Sequence, residues 1–224
     1  MVSSRKLSSD EVDALIEGLQ SEDAETNNSS PSNQENVRPF KFGTDDLTLL
    51  GDYYALRMIN ERFARFARAV FLPMLRIQPR ISSFPPEVKT YDEYSAGLNS
   101  FMSLTTSRID ELRGSMLLVL EPSFISILTN CYYGGKLANF PTTKAEFTAT
   151  EDRIIEIVSD GMAQCLQAAW KDLMPITIKH QTREINPQFA TLVEASDSVI
   201  ICSFVVQLPN VDSASFDIIY PLQT

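Results

Sequence analysis

Apolar residues recur every three or four positions in two long segments of the chain, which is the spacing of one helix face. The first segment predicts a helix from about Asp45 to Leu72, with Thr44 or Asp45 as its cap and Pro73 past its end. Its apolar stripe comprises Leu49, Tyr53, Leu56, Ile59, Phe63, Phe66 and Val70. The second segment predicts a helix over 148–173 that is capped by Thr148 or Thr150.

Shorter apolar and β-branched runs between turn residues predict strands. These runs lie at 102–109, 114–120, 176–183, 198–208 and 215–220. Pro122 opens a short helix at 123–133, and Gly134 and Gly135 end it by supplying the left-handed conformation of a helix C-terminus.

The two halves of the folded part repeat one plan: a cap, a long helix, a proline, a strand, a loop, a strand pair and a second proline. The halves extend over about 40–140 and 141–224. Neither half is large enough to bury a sheet alone, so the sequence predicts one α/β domain with pseudo-two-fold symmetry. The second copy reaches the end of the given sequence before an equivalent of the helix at 123–133, as a shortened chain would.

The first 39 residues follow a different pattern. Residues 20–39 contain Ala24 and Val37 as their only aliphatic residues, which predicts a disordered linker. Residues 1–19 predict a short helix, because Ser8 and Glu11 match a capping box and Leu7 and Val12 match a hydrophobic staple. Four apolar anchors at i, i+3, i+4 and i+7 would fit the groove of a partner: Val12, Leu15, Ile16 and Leu19. The alternative is that this helix packs on its own domain.

Charge is concentrated in this tail. The whole chain has a formal net charge of −10, and residues 1–36 carry −6 of it, from Arg5 and Lys6 against eight acidic residues. A nucleic-acid partner would need clustered Lys and Arg, so the acidic tail favours a protein partner with a basic patch. There is neither a signal sequence nor an apolar run of membrane-spanning length, which predicts a cytoplasmic protein.

Candidate chemistry is sparse. The three cysteines, Cys131, Cys165 and Cys202, lie far apart and are predicted to be reduced. With His180 as the single histidine, they do not form a convincing zinc site, and Gly134-Gly135 lacks the context of a phosphate-binding loop. We therefore expect neither a cofactor nor a metal.

The segment Leu7-Ser-Ser-Asp-Glu-Val-Asp-Ala-Leu-Ile resembles the N-terminal peptide of the FliM family of flagellar motor switch proteins. The remainder resembles the FliM middle domain, through Tyr132-Tyr133-Gly134-Gly135 and through Phe147-Thr-Ala-Thr-Glu-Asp-Arg-Ile at the second long helix. The resemblance implies that the peptide binds the phosphorylated response regulator CheY, through Leu7, Ser8, Asp10, Glu11, Val12, Asp13, Leu15, Ile16 and Leu19.

The same resemblance implies that the glycine loop docks FliG, through Tyr132, Tyr133, Gly134, Gly135, Lys136 and Leu137. Middle domains of the family lie side by side in a ring at the cytoplasmic face of the inner-membrane basal body. A C-terminal domain that assembles with FliN would follow, and nothing in this sequence matches it. The family loop is usually Gly-Gly-x-Gly, whereas Leu137 stands at the last position here and Leu rarely adopts φ > 0. Gly134-Gly135 could also be an ordinary helix end.

An enzyme is the alternative, because the duplicated fold also resembles the CheC/CheX phosphatases of response regulators. That family uses a Glu-x-x-Asn motif on a long helix. The candidate acids here are followed by other residues at the amide position, in the pairs Glu61/Ala64, Glu151/Ile154 and Glu156/Ser159. We therefore predict a non-enzymatic scaffold. The basic run Arg57, Arg62, Arg65 and Arg68 is either a solvated face or a contact with acidic residues of a neighbouring copy.

Overall fold

A computed structural model describes residues 53–112, 114–140, 146–190 and 192–222. The predicted tail helix, the linker and the cap at Thr44 or Asp45 lie outside these residues. Four helices are described: α1 (Tyr54–Leu75), α2 (Tyr91–Ala96), α3 (Pro122–Tyr132) and α4 (Ala149–Trp170). Seven strands accompany them: β1 (Arg80–Ser83), β2 (Glu87–Thr90), β3 (Ser103–Ile109), β4 (Gly114–Leu120), β5 (Ile178–Glu184), β6 (Ser198–Gln207) and β7 (Ala214–Pro221).

The predicted end of the first long helix was wrong. Pro73 lies inside α1, and the helix ends at Leu75, where Arg76 adopts φ 56° and its amide donates to the Leu72 carbonyl. A proline in a helix removes one hydrogen bond and strains the preceding turn. Here the last turn also buries Met74 and Leu75, and we attribute the continuation of the helix past the proline to this burial.

The second long helix, α4, begins after Thr148, one of the two predicted caps. The Thr148 hydroxyl accepts a hydrogen bond from the Glu151 amide, and the Glu151 carboxylate accepts one from the Thr148 amide at 3.0 Å. This reciprocal pair is a capping box, so Thr148 and not Thr150 is the N-cap.

The strands form one antiparallel sheet in the order β1-β6-β7-β4-β3-β5, with β2 also paired to β6. Each half supplies one hairpin, β3–β4 or β6–β7, and the hairpins meet at the central β4–β7 pair, where Leu118 faces Ile218. The strand that follows each long helix crosses to the other half: β1 pairs with β6, and β5 pairs with β3. This exchange confirms the predicted pseudo-two-fold α/β fold and explains why the two copies share one core.

The main core lies between the sheet and the layer of α1, α3 and α4. Stacked and edge-on phenylalanines fill its centre, with Phe63, Phe204 and Phe216 within 4.9–6.3 Å of one another by ring centroid. The opposite face of the sheet is covered in part by Tyr91 of α2 and by Ala190, Leu192 and Val193. The Tyr91 hydroxyl donates to the Ala190 carbonyl and joins these two covering segments.

Candidate functional site

The Gly-Gly loop extends from the end of α3 across the surface. The α3 helix ends at Tyr132, and the amide of Gly134 donates to the Cys131 carbonyl at 3.0 Å. Gly134 has φ +92°, which side-chain-bearing residues rarely adopt, and a Cβ there would meet nothing within 4 Å. Gly134 is therefore required by its backbone conformation.

Gly135 is required for a different reason. Its amide donates to the Asn130 carbonyl at 2.8 Å, and a Cβ at this position would overlap the Asn130 side-chain amide. That amide is fixed, because Asn130 Nδ2 donates to the Lys136 carbonyl at 2.7 Å. The Asn130 side chain thus occupies the space that a larger residue at 135 would need and holds the next peptide in place.

Aromatic side chains project from the start of the loop. Tyr132 is 43% exposed and Tyr133 is 64% exposed, and their rings meet edge-on with centroids 5.2 Å apart. Exposed tyrosines in a fixed arrangement are typical of protein-binding surfaces, because they offer a large apolar area with few rotatable bonds. Lys136 is also exposed, while Leu137 is half-buried and packs against the main core.

Leu137 replaces the third glycine of the family pattern without backbone strain. Among the described residues, positive φ occurs at Gly134, Arg76 and Asn210, and Leu137 is not one of them. The loop instead continues to Asn139, whose side chain pairs with Asp212 in the turn between β6 and β7. Sequence reasoning missed Asn139 and Asp212, since no local pattern marks a hydrogen bond that spans 73 residues. It also missed Asn130, whose bond to the Lys136 carbonyl depends on the path of the loop.

A polar groove of about 270 Å³ lies between α4 and the edge strand β5. His180 bridges its two walls, with Nδ1 2.8 Å from Ser107 Oγ and Nε2 3.0 Å from Asp160 Oδ1. Ser107 is fully buried, so this Ser-His-Asp arrangement does not present a nucleophile to solvent. Burial raises the pKa of Cys131 and Cys165, and it raises the pKa of Cys202 to about 12, so none of the three thiols is activated.

The candidate phosphatase positions lack an acid–amide pair within the described structure. Glu156 binds Arg153 at 2.6 Å, and the Ser159 hydroxyl is buried 3.5 Å from that of Thr105. Glu61 binds Arg57 at 3.4 Å, and Ala64 follows it on a buried face. The carboxylate of Glu151 serves as the cap of α4.

The part of the chain that the structure describes offers neither a membrane-spanning helix nor a metal-binding cluster. No described helix combines the length and the apolar character needed to cross a lipid bilayer. Within the same residues, no group of three or more His, Cys, Asp or Glu side chains is close enough to hold a metal ion. The predicted CheY-binding residues, from Leu7 to Leu19, lie outside this part, whereas Tyr132 to Leu137 lie together at the last residue of α3 and in the loop that follows it.

Comparisons with known proteins give the same assignment for sequence and fold. FliM proteins of Pseudomonas aeruginosa and Escherichia coli are each 29% identical, over 90% and 96% of this chain and 62% and 64% of their own lengths. The chain therefore spans just over three-fifths of these curated relatives. The FliM middle domain of Vibrio alginolyticus is 28% identical, with a TM-score of 0.68 over 75% of this chain and 94% of that one.

A FliG-FliM complex from H. pylori contains a chain of the same fold, with a TM-score of 0.71 and 18% identity over 77% of this chain and 93% of that one. The family model described as flagellar motor switch protein FliM matches residues 52–224, which include all four helices and all seven strands. The chain belongs to the FliM family of flagellar motor switch proteins.

Proposed function

We propose that this chain is a rotor scaffold that receives a chemotactic signal at one site and holds the rotor at another. The helix predicted over residues 1–19 binds phosphorylated CheY, the linker 20–39 tethers it, and the Gly-Gly loop docks FliG. The observation that carries the proposal is the loop itself, because two exposed tyrosines and Lys136 project from a backbone that Asn130 holds in one conformation. The FliG-FliM complex of the H. pylori protein supports the choice of partner.

The docking test measures binding of FliG and of phosphorylated CheY to the whole chain and its variants. Lys136→Glu should weaken FliG binding and leave CheY binding unchanged, because Lys136 is an exposed residue of the Gly-Gly loop and not of the proposed CheY-binding helix. Val12→Asp should do the reverse by placing a charge among the apolar anchors. Lys171→Glu is the matched control, since Lys171 is also an exposed lysine and lies just past α4. Equal loss of FliG binding in both lysine variants would refute the loop assignment.

The proposed activity is not enzymatic. The described long helices lack the acid–amide pair that the phosphatase alternative needs, and Glu156 is occupied by Arg153. Incubating the chain with phosphorylated CheY and measuring phosphate release tests this directly. Release faster than that of CheY alone would establish the phosphatase and remove the scaffold-only proposal.

Self-association side by side is part of the same proposal. The α1 helix packs along β1 and α4 along β5, so the two long helices lie toward opposite edges of the sheet. Arg57 and Arg65 on α1 are exposed, as are Glu156 and Asp160 on α4, and a head-to-tail contact between copies would bring unlike charges together. Sedimentation should show that Arg65→Glu weakens association and that mixing it with Glu156→Arg chains restores it. No recovery on mixing would refute this pairing.

The remaining assignments follow the family. We propose a peripheral position at the cytoplasmic face of the inner-membrane basal body. Binding to FliN would belong to the part of the relatives that this chain does not span. Neither a nucleic acid, a cofactor nor a metal is needed for this function.

A further inference from the structure

The far end of the Gly-Gly loop is tied to the other half of the domain. Asn139 Nδ2 donates to Asp212 Oδ2 at 2.9 Å, and the Asp212 backbone amide donates back to Asn139 Oδ1 at 3.0 Å. Two reciprocal hydrogen bonds fix both the orientation of the Asn139 side chain and its distance from Asp212. We call this Asn139–Asp212 pair the clasp.

The clasp joins the loop to a tight turn. Residues 208–213 connect β6 to β7, and within them Asn210 has φ 63°, a left-handed conformation that asparagine tolerates better than most residues. Asn210, Asp212 and Ser213 are exposed, whereas Val211 packs against the main core. The turn therefore presents polar groups to solvent beside the loop while its backbone is anchored.

The loop is thus held at both ends, by Asn130 on α3 and by the clasp. Leu137 lies between these points and Phe140 directly follows the clasp, and both side chains pack against the core. A loop held in its binding conformation avoids the ordering penalty that a mobile loop meets on association. Leu137 stands where the family pattern has a third glycine, so the shape of this loop depends on its side-chain contacts rather than on glycine alone.

We propose that Asn139 and Asp212 are positioning residues for the docking loop, and that the β6–β7 turn is a second part of the FliG-docking surface. This rests on the proposed function. The docking surface then belongs to both halves of the domain: the tyrosines come from the end of α3, and the turn comes from the second hairpin. Opening the clasp lowers the fraction of molecules whose loop can bind, and the apparent affinity falls by the same fraction.

The test of the clasp uses a charge change and its compensation in the whole chain. Asn139→Asp faces two carboxylates against each other, and we expect about tenfold weaker FliG binding. In the double variant Asn139→Asp/Asp212→Asn, the new amide at 212 donates to the new carboxylate at 139. The backbone amide of residue 212 can still donate to that carboxylate, so the affinity for FliG should return to within about twofold of the unmodified chain. Asn99→Asp makes the same charge change at an exposed site away from the loop and should bind as the unmodified chain does.

Amide hydrogen exchange of the loop provides the second readout. Exchange at residues 136–139 should accelerate in Asn139→Asp and slow again in the double variant, with melting temperatures unchanged throughout. An affinity that is equal in the unmodified chain and Asn139→Asp overturns the positioning role. Failure of the unmodified chain to bind FliG refutes the proposed function instead, and the two failures are therefore distinguishable.

The contact role of the turn has its own variant. Ser213→Arg places a bulky charge on the turn without touching the clasp, so FliG affinity should fall about tenfold while loop exchange stays as in the unmodified chain. Unchanged affinity in Ser213→Arg overturns the assignment of the turn to the docking surface.

Discussion

The Glu151 carboxylate joins two helices: its Oε1 accepts a hydrogen bond from Ser126 Oγ of α3 at 3.0 Å, while its Oε2 caps α4 through the Thr148 amide. Glu151 is buried, and α3 is the helix that carries the Gly-Gly loop. The capping box therefore sets the position of α3 against α4 as well as the start of α4.

Glu151→Gln should lower the free energy of unfolding by about 1–2 kcal/mol, because the amide cannot accept hydrogen bonds on both of its ends. Urea unfolding measures this value. Glu146→Gln is the matched control, since Glu146 is exposed just before the cap and should change stability by less than about 0.5 kcal/mol. Equal stability of the two variants would show that the Ser126 bond and the cap contribute little.

The two long helices approach each other closely at Gly161. A Cβ at Gly161 would lie 2.8 Å from Cγ1 of Val70 on α1, which is closer than two non-bonded carbon atoms normally approach. Gly161→Ala should therefore destabilise the domain by about 1–3 kcal/mol through overpacking. Val70→Ala in the same chain removes the obstructing methyl groups and should recover part of this loss, as a double-mutant cycle by urea unfolding would show. If the two substitutions change the free energy of unfolding additively, the two helices can move apart at this point without cost.

Local patterns were sufficient for elements whose residues carry their own signals. The strand predicted at 114–120 matches β4 at both ends, and Thr148 was one of two predicted caps, because an apolar run between turn residues and a helix cap both depend on neighbouring residues. β2 was missed since Glu87–Thr90 is exposed throughout and shows no alternation, and it is a strand because β6 offers an open edge. The helix end at Leu75 was missed because the burial of Met74 and Leu75 depends on tertiary packing.

The residues of the candidate site also fall into those that local patterns predict and those that depend on tertiary packing. The Gly-Gly loop was predicted from adjacent residues, and the structure shows those residues together on one exposed loop. Asn139 and Asp212 were not predicted, since their pairing is set by where the loop after α3 meets the second hairpin. Asn130 was not predicted, since its bond to the Lys136 carbonyl forms only once the loop turns back on the end of α3. The exchange of β1 and β5 between the halves likewise depends on pairings that join distant segments of the chain.

Cys202 should be the least reactive of the three thiols. Burial raises its pKa to about 12, so the folded state favours the protonated thiol. The stabilisation from this preference is complete below the pKa of the unfolded thiol, near 9, and is lost as the pH rises from there toward 12. At pH 8, a thiol reagent should label half-buried Cys165 first and Cys202 only as the chain unfolds. Labelling of Cys202 in native buffer as fast as that of Cys165 would contradict this.

Deletion of residues 1–20 separates the two proposed sites. Among the described residues the main core extends from Ile59 to Tyr220, and we expect residues 1–20 to add nothing to it, so the melting temperature should stay within about 2 °C of the unmodified chain. Binding of phosphorylated CheY should be abolished, and FliG binding should be retained. Differential scanning calorimetry and binding to both partners check this. A large fall in melting temperature would show that the N-terminal helix is part of the core, which is the alternative that the sequence left open.

The two glycines of the loop should respond differently to the removal of Asn130. Gly134→Ala should cost about 1–2 kcal/mol because alanine is strained at φ +92°. This cost should persist in an Asn130→Ala background, because a Cβ at Gly134 would meet nothing within 4 Å and so would not touch the Asn130 side chain. Gly135→Ala should also destabilise the unmodified chain, but by collision with the Asn130 amide, so its cost should largely disappear once Asn130 is alanine. Two double-mutant cycles by urea unfolding measure both couplings. A coupling of Asn130 to Gly134 as large as that to Gly135 would show that the side chain acts on the whole loop and not on the peptide at 135.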